Sequence, residues 1–195
     1  YWDTLGWIYF QRGDLARAEQ YVHAAWLLAQ HGEIGDHLGQ IYALLGRNQE
    51  AIHTFALALN ASSPPAETGT RLAALAGGKA AADRLVEAAR PDLVTLRTVQ
   101  LGATLRADIS SEVRVLLAPG PKVEDMRFIG GPDVGLDLKN AIRNATYPVI
   151  FPDSGRIKLP RRALLTCTAA KGACSLVLIE SGRTPSLQVP IASEE

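Results

Sequence analysis

The chain has 195 residues, enough for one large domain or two small ones with a buried core. Its 20 basic and 20 acidic side chains cancel, and splitting at residue 60 leaves 3 basic and 6 acidic residues before it, 17 and 14 after. Neither part has the basic surplus that makes nucleic acid a default partner, and the apolar runs, such as 24–29, fall far short of the ~20 residues of a membrane-crossing helix.

Residues 1–60 read as four helices with breaks at Gly13-Asp14, His31-Gly32 and Gly46-Arg47-Asn48, each a stop followed by a restart. A pattern recurs inside them. Leu5, Gly6, Tyr9, Ala18 and Ala25 are followed, at a step of 33 residues, by Leu38, Gly39, Tyr42, Ala51 and Ala58, with Trp2 ahead of the first set and Phe55 within the second. Gly6, Gly39, Ala18 and Ala51 let paired helices approach closely, and Trp2, Tyr9, Tyr42 and Phe55 fill the space between hairpins.

This spacing resembles the tetratricopeptide repeat (TPR) family, whose stacked helical hairpins act by contact with other proteins. The sequence departs from the family at its usual proline positions, where Gln30 and Ser63 stand, with Pro64 one place late. The resemblance implies a concave peptide-binding surface lined by the first helix of each hairpin, which nominates Asp3, Trp7, Asp36, Gln40 and Ala43; a solvated helix face is the plainer alternative. An array opening at Trp2 also exposes Trp2, Leu5 and Tyr9, which in a longer array pack on a preceding hairpin. Burying such side chains is worth roughly 1.5–3 kcal/mol each. A second copy is expected on that face if Tyr1 is the mature end, and a head-to-tail contact that does not close gives a filament. The start at Tyr1 inside a repeat, without an initiator Met, reads as a processed or excerpted piece.

The organisation expected is two TPR hairpins over 1–62, a degenerate third hairpin capping the array over 63–94, an α+β domain over 95–182 with an antiparallel sheet and one helix, and an extended tail over 183–195. Residues 67–76 and 79–90 are Ala/Leu-rich helices parted by Gly77-Gly78, and Pro91-Asp92 ends the helical region. From 95 on the period becomes two. Val99, Leu101 and Leu105 alternate with polar residues, and Val113–Leu117 and Val123–Ile129 form a hairpin around Pro119–Lys122. A glycine turn, Gly130-Gly131-Pro132-Asp133, then leads into a short helix using Leu136, Leu138, Ala141 and Ile142. Tyr147–Phe151, Arg162–Thr168 and Cys174–Glu180 read as further strands. In the tail, Leu187, Val189 and Ile191 alternate around Pro190, as an edge strand or an arm lent to a neighbour.

Val113, Val115, Gly120, Val123, Gly131, Leu136, Ala141, Tyr147 and Pro148 resemble the carboxy-terminal domain of TonB-type energy transducers over about 112–168. Together with the helical repeats, and with Phe151-Pro152, Arg161-Arg162 and Cys167/Cys174, the chain is similar to the end of a large bacterial envelope TPR protein. That likeness implies export to the periplasm, cell surface or extracellular space. Cys167 and Cys174 lie either side of a Lys171-Gly172 turn, so a hairpin would set their sulfurs opposite each other; a disulfide and an oxidising compartment follow. Two unpaired strand cysteines of a cytosolic protein are the alternative.

Catalytic signals are absent from the sequence. His23, His31, His37 and His53 show no i, i+4 pair and no metalloprotease motif, which leaves packing or surface roles. Gly130-Gly131 before a helix could cradle an anion, but it lacks a following Lys-Ser/Thr and reads as a tight turn. Arg156, Lys158, Arg161 and Arg162 form the densest basic cluster, able to bind an acidic surface or to guard a sheet edge. Asn60 and Asn144 head glycosylation triplets. The function expected is non-enzymatic protein contact without cofactor or metal, including self-association as a homo-oligomer or homopolymer. Its rivals are a monomeric adaptor holding a client peptide and the accessory end of a larger exported enzyme.

Overall fold

The computed structural model describes residues 1–105, 107–132, 134–153 and 157–179. The helical part runs α1 (Trp2–Gln11), α2 (Leu15–Ala29), α3 (Gly32–Leu44), α4 (Asn48–Asn60), α5 (Thr68–Ala76) and α6 (Lys79–Thr95). The strands are β1 (Thr98–Leu101), β2 (Ile109–Ala118), β3 (Lys122–Gly130), β4 (Leu159–Thr168) and β5 (Ala173–Leu178), with α7 (Leu136–Asn144) between β3 and β4. A stack of packed helices thus precedes a small antiparallel sheet with one inserted helix, the fold class expected.

The repeat spacing is a record of helix contact. A Cβ added to Gly6 would sit 2.5 Å from Val22 Cγ2, and one added to Gly39 would sit 2.5 Å from the Phe55 ring. Val22 occupies the place in the first hairpin that Phe55 holds in the second. Ala18 and Ala51 are both fully buried. Asp14 caps α2 by accepting a hydrogen bond from the Arg17 amide at 3.2 Å. The missing prolines have a backbone reason: Gln30 and Ser63 have φ of 45° and 51°, in the left-handed region, whereas a proline ring holds φ near −65°.

Three sequence expectations change. Pro91 lies inside α6 rather than ending the helices. Beyond it Leu93 and Leu96 pack on the helical core, and that tertiary contact outweighs the lost amide bond. Tyr147–Phe151 is not a strand. Tyr147 and Val149 are buried alternately, but the segment is held by the Val149 amide on the Tyr147 carbonyl (2.8 Å) and by the Tyr147 hydroxyl donating to the Ile142 carbonyl (2.9 Å). Leu136, assigned to the buried face of α7, is 68% exposed because the helix turns Leu138 and Ile142 to the core instead. The tail 183–195, with Leu187, Val189 and Ile191, lies outside the described residues, as do Arg156, Asp133 and Glu180.

The sheet order is β1-β5-β4-β2-β3, all antiparallel. Alternation sends Val113, Val115, Leu117, Ala163, Leu165, Leu176 and Leu178 to one buried face, joined by Leu138 and Ile142 of α7. The first helical hairpin is tied to this unit. Leu28 of α2 packs into the sheet core and its carbonyl accepts from Arg161 Nη1 at 2.8 Å. Trp2 meets Phe151 edge-on with centroids 6.5 Å apart, and Gln20 donates to the Pro152 carbonyl.

Candidate functional site

The first helices of the successive hairpins, α1, α3 and α5, line one open groove. Its walls are Phe10, Gln40, Ala43, Leu44, Arg71, Ala74 and Leu75, with Phe55 of α4 at the floor, and it encloses about 350 Å³. Leu44 stands 64% exposed on its rim. Beside it Trp7 stacks on Phe10 at 4.4 Å and on His37 at 3.9 Å, and His37 Nδ1 lies 3.0 Å from Asp3 Oδ1. The result is an apolar slot bordered by a three-ring stack.

Asp36, expected to face a client, is instead only 2% exposed. Its carboxylate accepts from Thr68 Oγ1 at 2.8 Å, from Arg71 Nη1 at 3.0 and 2.9 Å, and from Gln40 Nε2 at 2.7 Å. A buried carboxylate is costly unless paired and hydrogen-bonded, and α5 supplies what pairs it. Asp36 therefore fastens the third hairpin to the second, while Gln40 and Ala43 remain in the groove. Phe10, Leu44, Arg71, Ala74 and Leu75 were not singled out from sequence, and His37 was assigned only a packing or surface role. Arg71, Ala74 and Leu75 stand at i, i+3 and i+4 on one helix face, a signal that was available; the Asp36–Thr68–Arg71 union spans more than a repeat and left none.

The exposed-end expectation is corrected in part. Trp2 is half-buried against Phe151, and Tyr9 is half-buried beside Tyr21 (5.6 Å between centroids) under the Arg17 guanidinium at 5.0 Å. The apolar surface that α1 leaves open is Leu5, 36% exposed, and Ile8, 45% exposed. Deeper in the stack Arg47 sits 4.5 Å over the Tyr42 ring and reaches Glu19 of α2 at 2.7 Å. Burial pushes the Tyr42 hydroxyl up to about 12 and holds His23 below the ordinary histidine range. Both are packing groups.

Cys167 and Cys174 face each other across β4 and β5 and are bonded to one another. Asn60 is half-buried and its amide donates to the Ala56 and Val86 carbonyls at 3.0 and 2.7 Å, bonds a glycan would have to displace. Asn144 is exposed at the end of α7. Gly131 turns against β2 so tightly that a Cβ would lie 2.5 Å from the Ser110 carbonyl, and α7 begins only at Leu136, which sets Gly130-Gly131 apart from the helix N-terminus. The basic cluster is dispersed. Arg161 is buried on the inner face, Lys158 bonds Glu124 at 2.8 Å, and Arg162 bonds Glu112 at 2.5 Å on the outer face. Among the described residues no group of His, Cys, Asp or Glu could hold a metal ion, and no helix is long and apolar enough to cross a membrane.

Residues 36–64 match the tetratricopeptide repeat family. No curated protein and no solved structure shows a significant match to the chain. The matched stretch covers most of α3 and all of α4, the hairpin that carries Leu38, Gly39, Tyr42, Ala51 and Phe55. A repeat fold of this kind is consistent with a non-enzymatic scaffold for protein contact.

Proposed function

We propose that the chain is a protein-interaction module that holds a segment of another polypeptide in the groove across α1, α3 and α5. The carrying observation is the groove itself. It is open and largely apolar, and its one strong charge, Arg71, is already spent on Asp36. Such a slot suits an apolar anchor side chain of the client, with the Trp7–Phe10–His37 stack as a flanking platform. Selection of peptides from a random library on the native chain tests this reading. Ala43→Arg fills the slot and should abolish binding of the selected peptides while leaving the melting temperature near that of the parent chain; selection of nothing, or peptides that bind Ala43→Arg equally, would overturn it.

Self-association is the second reading, favoured by Leu5 and Ile8 standing exposed on α1. Light scattering after size exclusion decides it. Particles that grow with concentration and dissociate with Ile8→Asp support an assembly, and a monomer of 20.9 kDa removes it. We further place the chain in an oxidising compartment of a bacterium, the envelope or the outside of the cell. The bonded Cys167–Cys174 pair supports that placement, and the β2–β3–α7–β4 order supports the likeness to TonB-type domains. Free thiols in protein isolated from its native source without reductant would sink the placement.

A further inference from the structure

The sheet buries one face, and on the other, among the described residues, Arg114 is exposed, Leu116, Arg162, Leu164 and Val177 are half-buried, and Glu112 is buried. Arg114, Leu116, Arg162, Leu164 and Val177 alternate with the core positions and so share the outer face. There the register lines up three arginines. Arg114 of β2 stands directly opposite Arg127 of β3 on one side and Arg162 of β4 on the other. With strands about 4.8 Å apart, the row spans ~10 Å.

Like charges directly opposite one another destabilise a sheet, so the row calls for compensation. It is incomplete. Arg162 is satisfied by Glu112, whose carboxyl is drawn below its usual range by that bond. Arg127 comes no closer than 3.7 Å to Asp125 and keeps 82% of its side chain exposed. Arg114 is exposed and its side chain makes no hydrogen bond or close ion pair among the described residues; its charge is felt by Glu112, which is already bonded to Arg162. Edge protection does not explain this, because charges that repel strand addition belong on edge strands, whereas β2 and β4 are interior. The adjoining row, Val177–Leu164–Glu112, is apolar at two of its positions and half-buried there.

We propose that this outer sheet face docks an acidic segment of a partner polypeptide, whose carboxylates bridge Arg114 to Arg127 and whose apolar side chains rest on Leu164 and Val177. Guanidinium pairs carboxylates through two parallel hydrogen bonds, which a row of arginines can offer repeatedly. A peptide fits better than a polyphosphate. Glu112, Asp125 and Glu124 lie among the basic groups and would repel a dense anionic backbone, and the apolar neighbours would go unused. This surface is separate from the helical groove and does not depend on it.

The test is fluorescence anisotropy of the full chain with a short labelled peptide of alternating glutamate and leucine, at low and high salt. Binding that weakens with salt is expected, and Arg114→Glu should weaken it roughly tenfold or more. The same variant removes a like-charge pair on each side, so its melting temperature should rise while binding falls. Arg114→Gln should weaken binding with the fold retained, and Arg84→Glu, on exposed α6 surface, should leave binding unchanged. No binding at millimolar protein, equal loss with Arg84→Glu, or Arg114-dependent binding to phosphatidylserine vesicles in place of the peptide would each overturn the proposal.

Discussion

The two helical hairpins share a spacing and serve different neighbours. The second, α3–α4, has Gly35 where the first has Trp2 but carries Phe55 over Gly39 with Tyr42 buried, and is enclosed by α2 on one side and by α5 and α6 on the other. The first, α1–α2, puts Val22 where the phenylalanine would be and turns Trp2, Gln20 and Leu28 toward the sheet unit. The family match falls on the second. Spacing therefore records how close two helices lie, whereas side-chain identity records what the pair packs against.

The largest effect that sharpens this contrast is at the paired glycines. Gly39→Ala forces a methyl into the Phe55 ring within an enclosed hairpin and should cost about 3 kcal/mol, against about 1 kcal/mol for Gly6→Ala, where α1 can move outward. Urea denaturation measures both, and equal losses would erase the distinction. Next, replacing Cys167 and Cys174 together by Ala should cost about 2 kcal/mol, through the loss of a short covalent loop. Hydrogen exchange should then quicken in the sheet and in α1–α2, which is tied to it, with α4–α6 little changed; uniform quickening would show that the hairpins do not differ in attachment.

A smaller effect is on pH. Burial depresses His23 of the first hairpin, so the unfolded chain binds its proton more readily than the folded one. The contribution is fully present above the ordinary histidine range and is lost as pH falls from there through the folded value. His23→Gln should flatten the stability profile over that window, as thermal melts from neutral to mildly acidic pH would reveal, and an unchanged slope would remove His23 as its source. Smallest is Ser63→Gly. It relieves a left-handed backbone at an exposed position and should stabilise by about 0.5 kcal/mol.

How much could be read in advance depends on the distance over which each feature is encoded. Gly6, Gly39, Ala18 and Ala51 announce helix packing because their signal repeats locally. The β2–β3 hairpin and the Cys167–Cys174 juxtaposition follow from turns between apolar runs. Pro91 and Tyr147–Phe151 misled because local rules were outweighed by core contacts of Leu93 and Leu96 in one case, and because burial alternated without a ladder in the other. In the groove, Gln40 and Ala43 were legible by analogy between hairpins, but the capture of Asp36 by Thr68 and Arg71 required the third hairpin's placement. The arginine row was hidden by a register shift between Leu116 and Leu117. Without that bulge, Arg114 would face Met126 instead of Arg127.

Chemical-shift mapping of the labelled chain with a library-selected peptide tests the groove most directly. Perturbations centred on Trp7, Phe10, Gln40, Ala43 and Leu75, and absent in Ala43→Arg, are the expected result. Perturbations confined to Leu5 and Ile8 on the open side of α1, or to the sheet, would contradict the groove as the site of contact.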